Sequence, residues 1–135
     1  MTVPRLSAGV ITADLTRLGA ELEILCGKAA WAHVDVMDGA FCPQLTVGPA
    51  FAAAVASTGI PVDVHLMVEE PRRMLPEFAA AGVPGLMATP VHAVEPVLGF
   101  ADLVLVLAVN PGWPGQPPAP GTRRRLDAVR ELAAS

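Results

Sequence analysis

Short apolar runs rich in Val, Ile and Leu alternate with helical stretches about five times along this chain. Such an alternation predicts a parallel sheet with helical crossovers, because parallel neighbours need a long connection between them. The run at 103–109 is apolar at every position, which is typical of a strand buried on both faces. Strands are predicted at 8–12, 31–36, 61–67, 86–89 and 103–109, and helices beginning near residues 14, 51, 70, 91 and 122.

Length and composition place the chain among single globular domains. Its 135 residues predict one domain over 1–135, since a domain takes about 150 residues. Hydrophobic residues make up 53% and charged residues 16%, which excludes disorder as the main state. A net charge of −4 offers no basic surface for nucleic acid or an anionic membrane. With no signal-peptide pattern and no apolar run of the about 20 residues that a membrane helix needs, we expect a cytoplasmic protein.

Two predicted strands each carry a histidine and an aspartate two positions apart: His33 and Asp35 in one, Asp63 and His65 in the other. Side chains at this spacing share one face of a strand. If both strands belong to one parallel sheet, His33, Asp35 and His65 can converge on the same side. Imidazole and carboxylate together suit Zn²⁺, Fe²⁺, Mn²⁺ or Co²⁺ better than Ca²⁺. The pattern therefore indicates a site for one divalent metal ion.

A simpler interpretation is that these side chains only make hydrogen bonds at the strand ends. For a single His-x-Asp pair that interpretation is the more common one. Two pairs inside apolar strands need a compensating partner, however, because an unpaired buried carboxylate costs several kcal/mol. From the residues alone, both interpretations stay open.

The segment around the first pair reads Trp-Ala-His-Val-Asp-Val-Met-Asp-Gly at 31–39. It resembles the second strand and following loop of the ribulose-phosphate 3-epimerase family. The resemblance implies an incomplete (β/α)8 TIM barrel of the ribulose-phosphate-binding type, an α/β fold with about five parallel strands and flanking helices. Further segments that resemble the family are 12–15, 41–49, 62–68, 102–106 and 109–116.

The same resemblance implies an isomerase of the pentose phosphate pathway. Its substrate would be a sugar phosphate, with D-ribulose 5-phosphate and D-xylulose 5-phosphate interconverted by proton transfer at C3. His33, Asp35 and His65 would bind the metal ion, and Asp35 would also be the catalytic carboxylate.

Four more residues match substrate-binding positions of the family. Met37 and Met67 would line the reaction intermediate, and Gly112 and Gly115 would lie in the loop whose backbone N–H groups approach phosphate. For the two methionines, ordinary core packing is an equally good interpretation.

The chain is short for this family, since a complete barrel takes about 200–250 residues. The segment at 85–90 resembles the fifth strand of the family rather than the fourth, so one βα unit is expected to be missing between Gly82 and Gly85. The last two βα units, with the second catalytic aspartate, are expected to be missing as well. An unclosed barrel leaves open sheet edges, which predict a homo-oligomer or another partner chain.

Three functions follow from these observations. The first is an active epimerase, and the second is an inactive shortened relative that retains metal binding or pairs with another chain. The third is a different phosphate-binding barrel that acts on a sugar phosphate, which the 31–39 segment disfavours.

Overall fold

The computed structural model describes residues 5–83, 85–89, 106–107, 109, 115, 117 and 119–133. Four parallel strands form one sheet in the order β1-β2-β3-β4, so strands that follow one another in sequence are also neighbours in space. This strand order is that of one stretch of a (β/α)8 barrel, and the α/β fold class predicted from the sequence is confirmed. The strands are β1 Ser7–Gly9, β2 Trp31–Met37, β3 Val62–Met67 and β4 Gly85–Thr89.

Helical segments connect consecutive strands. A 3-10 turn at Leu15–Arg17 and helix α1 (Leu18–Leu25) lead from β1 to β2. Helix α2 (Pro49–Ala56) leads to β3, and helix α3 (Pro71–Ala80) leads to β4. Both α2 and α3 begin at a proline, which lacks the N–H that would be unpaired in a first turn. Helix α4 is Thr122–Ala133.

The two faces of β2 and β3 differ in chemistry. On one face, which we call the outer face, the side chains are apolar and buried. They form a core with Leu22 of α1, Val55 of α2 and Phe78 of α3. On the opposite face, which we call the inner face, most of the side chains are polar or contain sulfur. The outer face consists of Ala32, Val34, Val36, Val62, Val64 and Leu66, and the inner face of Trp31, His33, Asp35, Met37, Asp63, His65 and Met67.

The first strand is shorter than the prediction of 8–12, because the chain turns at once after Gly9. The N–H of Val10 still donates to the carbonyl of His33 at 3.0 Å, and that of Ala13 already donates back to Val10 at 3.2 Å. Asp14 is an N-cap as expected, with Oδ1 accepting the N–H of Thr16 at 3.0 Å, but it caps the 3-10 turn rather than α1.

The second half of the chain begins at a short connection. Helix α3 ends at Ala80, Gly82 adopts the left-handed conformation with φ of 74°, and β4 begins at Gly85. Strand β4 pairs in parallel with β3 from Asp63↔Gly85 to Met67↔Thr89. The strand that resembles the fifth of the family therefore lies directly beside the third. The predicted helix near 91 lies outside the described residues, as does most of the predicted strand at 103–109.

Among the described residues, no helix has both the length and the apolar character that crossing a bilayer requires. The cytoplasmic location stays a prediction from the sequence.

Candidate metal centre

The register of β2 and β3 brings the two His/Asp pairs together. His33 lies beside Asp63, and Asp35 lies beside His65. Because partners in a parallel register point to the same side of the sheet, all four side chains occupy the inner face. The pairing crosses over, so that each histidine has a carboxylate as its neighbour on the adjacent strand.

Three of these side chains converge on one oxygen atom. Oδ1 of Asp35 lies 3.3 Å from Nε2 of His33 and 3.1 Å from Nδ1 of His65. Ligand atoms of the three residues all lie within 4.8 Å of one another. Ligands bonded to a zinc ion at about 2.0–2.2 Å are at most about 4 Å apart, so a small side-chain movement closes this group around an ion. The donor set of two imidazoles and one carboxylate therefore fits a divalent transition metal.

The cluster is partly open on one side. The side chain of His65 is 3% exposed, whereas those of His33 and Asp35 are 20% and 26% exposed. A ligand entering from the inner face therefore meets His33 and Asp35 first. The simpler interpretation, in which these side chains only make hydrogen bonds, also describes contacts that are present: each of the four side chains has a partner within the cluster.

The contacts strongly perturb proton binding. Hydrogen bonds to Asp35 and then to Asp63 raise the pKa of His33 to about 9, although burial opposes the shift. The same contact with His33, together with that from His65, lowers the pKa of Asp35 far below its usual range. At neutral pH the protein's own groups thus place a cationic imidazole beside an ionised carboxylate. A metal ion that binds here displaces a proton from His33.

Thr46 holds the backbone of Asp35 in place, and no pattern in the sequence singled this residue out. Its hydroxyl donates to the carbonyl of Asp35 at 2.8 Å and accepts the N–H of Met37 at 2.9 Å. Strand β1 pairs with β2 only as far as His33, so the edge beyond it is open to the loop that contains Thr46. No periodicity marks such a contact, because it depends on where a neighbouring strand ends.

Asp38 ties together the loops that follow β2 and β3. Its Oδ1 accepts the N–H groups of Ala40 and Phe41, both at 2.9 Å, and its Oδ2 accepts that of Glu69 at 2.8 Å. Burial raises the pKa of Asp38, but these three donors together outweigh burial and lower it.

Asp63 and Ser7 are the other residues that the predicted site did not include. Oδ2 of Asp63 lies 2.6 Å from Nδ1 of His33, and Oδ1 accepts the hydroxyl of Ser7 at 2.5 Å. Burial raises the pKa of Asp63, and the contacts with His33 and Ser7 lower it by more. The Asp-x-His spacing already marked Asp63 as part of the pattern, whereas nothing in the sequence marked Ser7.

The predicted substrate residues are described only in part. Met37 and Met67 are partners in register at the ends of β2 and β3, next to Asp35 and His65 on the inner face. Met67 is buried and Met37 half-buried. Gly115 is exposed with φ of 76°, a conformation that favours glycine. Gly112 lies outside the described residues.

Comparison with known proteins gives a consistent result. The model of the ribulose-phosphate 3-epimerase family matches residues 5–88 and 80–135. Three similar proteins are ribulose-phosphate 3-epimerase of Bacillus subtilis (34% identity), the chloroplastic ribulose-5-phosphate-3-epimerase of Arabidopsis thaliana (32%) and ribulose-phosphate 3-epimerase 1 of Cupriavidus necator (37%). The alignments cover 96%, 95% and 96% of this chain and 74%, 57% and 66% of the respective relatives.

The alignments also indicate an internal gap. The Bacillus alignment runs over 160 residues, whereas 96% of this 135-residue chain is about 130 residues, so about 30 positions of the relative have no counterpart here. A βαβ unit takes about 30 residues or more. The family model matches in two pieces that meet at 80–88, which is consistent with the expected missing unit between Gly82 and Gly85.

Proposed function

Since this chain belongs to the ribulose-phosphate 3-epimerase family, we propose that it interconverts D-ribulose 5-phosphate and D-xylulose 5-phosphate, a step of the pentose phosphate pathway, by proton transfer at C3. The observation that supports this function most is the convergence of His33, Asp35 and His65 on the open inner face. The C3 proton of such a ketose phosphate lies next to a carbonyl group. Its removal needs a base, and the negative charge that develops on the carbonyl oxygen needs a positive centre.

Asp35 is the base in this proposal. Its lowered pKa keeps the carboxylate ionised at neutral pH, which is the form that accepts a proton. Its contacts with His33 and His65, and the contacts of its backbone with Thr46, fix its orientation toward the open side of the inner face. Orientation of this kind is part of what makes a carboxylate an effective general base.

His33, Asp35 and His65 would hold one divalent ion, Zn²⁺, Fe²⁺, Mn²⁺ or Co²⁺. When bound, the ion supplies the positive charge that stabilises the oxyanion next to C3. Met37 and Met67 form the apolar end of the inner face and limit the access of water to the intermediate. Gly112 and Gly115 bind the phosphate group through backbone N–H groups.

A second function is favoured by the internal gap. Inversion at C3 needs an acid–base group on each face of the intermediate, one to remove the proton and one to deliver it, and among the described residues the three candidate ligands include one carboxylate, that of Asp35. With about 30 internal positions missing, the chain is alternatively an inactive relative that retains metal binding or pairs with another chain. Association with a second copy through open sheet edges stays a prediction.

The test is turnover of D-ribulose 5-phosphate by the metal-loaded protein, followed in a coupled assay for D-xylulose 5-phosphate. Asp35→Asn removes the base while keeping the shape of the side chain, and we expect a loss of about 10²–10⁴-fold in kcat. Asp14→Asn is the matched control, because the side-chain contacts of Asp14 with described residues are those with the N–H and hydroxyl of Thr16 in the 3-10 turn, and asparagine caps equally well.

Two results would contradict this proposal, the first in its activity and the second in its base. If the original chain binds metal but shows no turnover above background, the inactive relative is correct. If Asp35→Asn turns over as fast as the original chain, Asp35 is not the base.

A further inference from the structure

The carboxylate of Asp63 on β3 contacts side chains of two other strands, and one of these side chains is a candidate metal ligand. Oδ2 lies 2.6 Å from Nδ1 of His33 on β2, and Oδ1 accepts the hydroxyl of Ser7 on β1 at 2.5 Å. The Asp63 side chain is only 8% exposed. Both of its oxygens therefore have a defined partner, as a buried carboxylate requires.

This contact divides the two nitrogens of the His33 ring between different partners. A carboxylate oxygen only accepts, so the Nδ1 that faces it carries a hydrogen atom. Nε2 faces Asp35 at 3.3 Å, on the side where the three candidate ligands converge. In the neutral ring, hydrogen on Nδ1 leaves the lone pair on Nε2, which is the form that binds a metal ion.

We propose that Asp63 is a positioning residue that keeps His33 in its Nδ1–H tautomer with Nε2 directed at the metal ion, and that Ser7 fixes Asp63 through a hydrogen bond spanning β2. A carboxylate that orients a metal-binding histidine in this way also strengthens the histidine as a ligand. The inference rests on the proposed metal site but does not depend on turnover.

Ser7 has a role because of its place in the sheet. It lies beside Trp31 in register, one inner-face position before His33, and its hydroxyl reaches across β2 to Asp63. Without that hydroxyl, Oδ1 of Asp63 loses its donor and the carboxylate plane is free to rotate away from His33. Strands β1, β2 and β3 are thus linked through side chains as well as through their backbones.

The experiment measures zinc affinity by competition with a chelator, and the tautomer of the His33 ring by ¹⁵N NMR of the metal-free protein at a pH where that ring is neutral. In Asp63→Asn, the amide can donate as well as accept, so it no longer enforces hydrogen on Nδ1. We expect the zinc Kd to rise about 10–100-fold. The ¹⁵N pattern of His33 should change from a single Nδ1–H tautomer to a mixture.

Two controls separate positioning from a general loss of structure. Val64→Ala lies next to Asp63 on the outer face, so it should lower stability while leaving the zinc Kd and the His33 pattern unchanged. Ser7→Ala should weaken zinc binding by up to about tenfold, the lower end of such effects. Ser7→Thr, which keeps the hydroxyl, should restore the original affinity.

An unchanged zinc Kd together with an unchanged His33 pattern in Asp63→Asn would overturn the role of Asp63. A different result marks failure of the metal site itself: the original chain does not bind zinc, or binds it equally well after His65→Ala. In that case both the proposed function and this inference would be wrong.

Discussion

The outer and inner faces of β2 and β3 lie on the same thirteen residues of backbone and differ in almost every chemical respect. On the outer face, Val34, Val64 and Leu66 are fully buried in the core. On the inner face, His33 and Asp35 are partly exposed and form charged hydrogen bonds. Because consecutive side chains of a strand point to opposite sides, stability and chemistry can be assigned to alternate residues of one segment.

The comparison shows how a costly cluster of buried charges is tolerated. The inner face carries two carboxylates and two imidazoles, which stabilise one another by direct hydrogen bonds. Such clusters contribute little to folding, since the desolvation of the charges offsets most of their attraction. The outer face therefore supplies the stability on which the geometry of the inner face depends.

The largest expected effect is a loss of stability from the outer face. Leu66→Ala should lower the free energy of unfolding by about 2–5 kcal/mol, because it removes a fully buried side chain from the core. Urea unfolding measures the change. Leu45→Ala is the matched control, since Leu45 is 79% exposed and its truncation should change stability by less than about 0.5 kcal/mol. Equal losses in both variants would contradict the division between the two faces.

The next effect is a loss of metal from the inner face. His65→Ala should weaken zinc binding by more than the about 10–100-fold expected for an outer-shell residue, because it removes a direct ligand. Elemental analysis of the purified protein should show less metal than in the original chain. In the presence of a chelator, the free energy of unfolding of His65→Ala should be only about 1 kcal/mol lower than that of the original chain, which is the value of a lost hydrogen bond.

The pair of variants Leu66→Ala and His65→Ala tests the two faces against each other. Leu66→Ala should retain the zinc affinity of the original chain in the fraction that is folded. Unchanged metal content in His65→Ala, or a zinc Kd that rises equally in both variants, would show that the three side chains do not form the site.

The smallest effect concerns Asp38, which directly follows β2 and joins the loops after β2 and β3. Asp38→Ala should lower the free energy of unfolding by about 1 kcal/mol at neutral pH, which is the typical effect of losing a capping side chain. The pKa of Asp38 is lowered from 3.8 on folding, so its contribution is complete above pH 3.8 and is lost as the pH falls through the lower, folded value.

The measurement for Asp38 is stability as a function of pH in three proteins: the original chain, Asp38→Ala and Asp38→Asn. The difference between the original chain and Asp38→Ala should shrink as the pH falls below 3.8. Asp38→Asn keeps an acceptor but has no charge to titrate, so much of its neutral-pH stability should remain and its difference from Asp38→Ala should not vary with pH. A constant difference between the original chain and Asp38→Ala would refute the lowered pKa.

Much of the described fold could be predicted from the sequence. The strands at 31–36 and 61–67 agree with β2 and β3 to within one residue at each end, because their runs of Val and Leu are bounded by turn residues. The first strand was predicted too long, since its apolar residues continue into the turn in which the N–H of Ala13 donates to the carbonyl of Val10. The fifth strand predicted at 103–109 lies largely outside the described residues.

The candidate site divides in the same way. His33, Asp35 and His65 could be predicted because spacing within a strand fixes the face to which each side chain points. Ser7 and Thr46 could not, since each reaches a partner on another segment. Their contacts depend on which strand lies beside which, and where that strand ends.

By itself, the sequence determined that parallel strands alternate with helices, and that two of those strands each present a histidine and an aspartate on one face. Both features follow from local patterns, because the spacing of residues within one strand sets the face to which each side chain points. Only the tertiary structure decided the register that sets His33 beside Asp63 and Asp35 beside His65, and the strand order that lets Ser7 reach Asp63. Register and order arise from packing the whole sheet against its helices, which no single segment specifies.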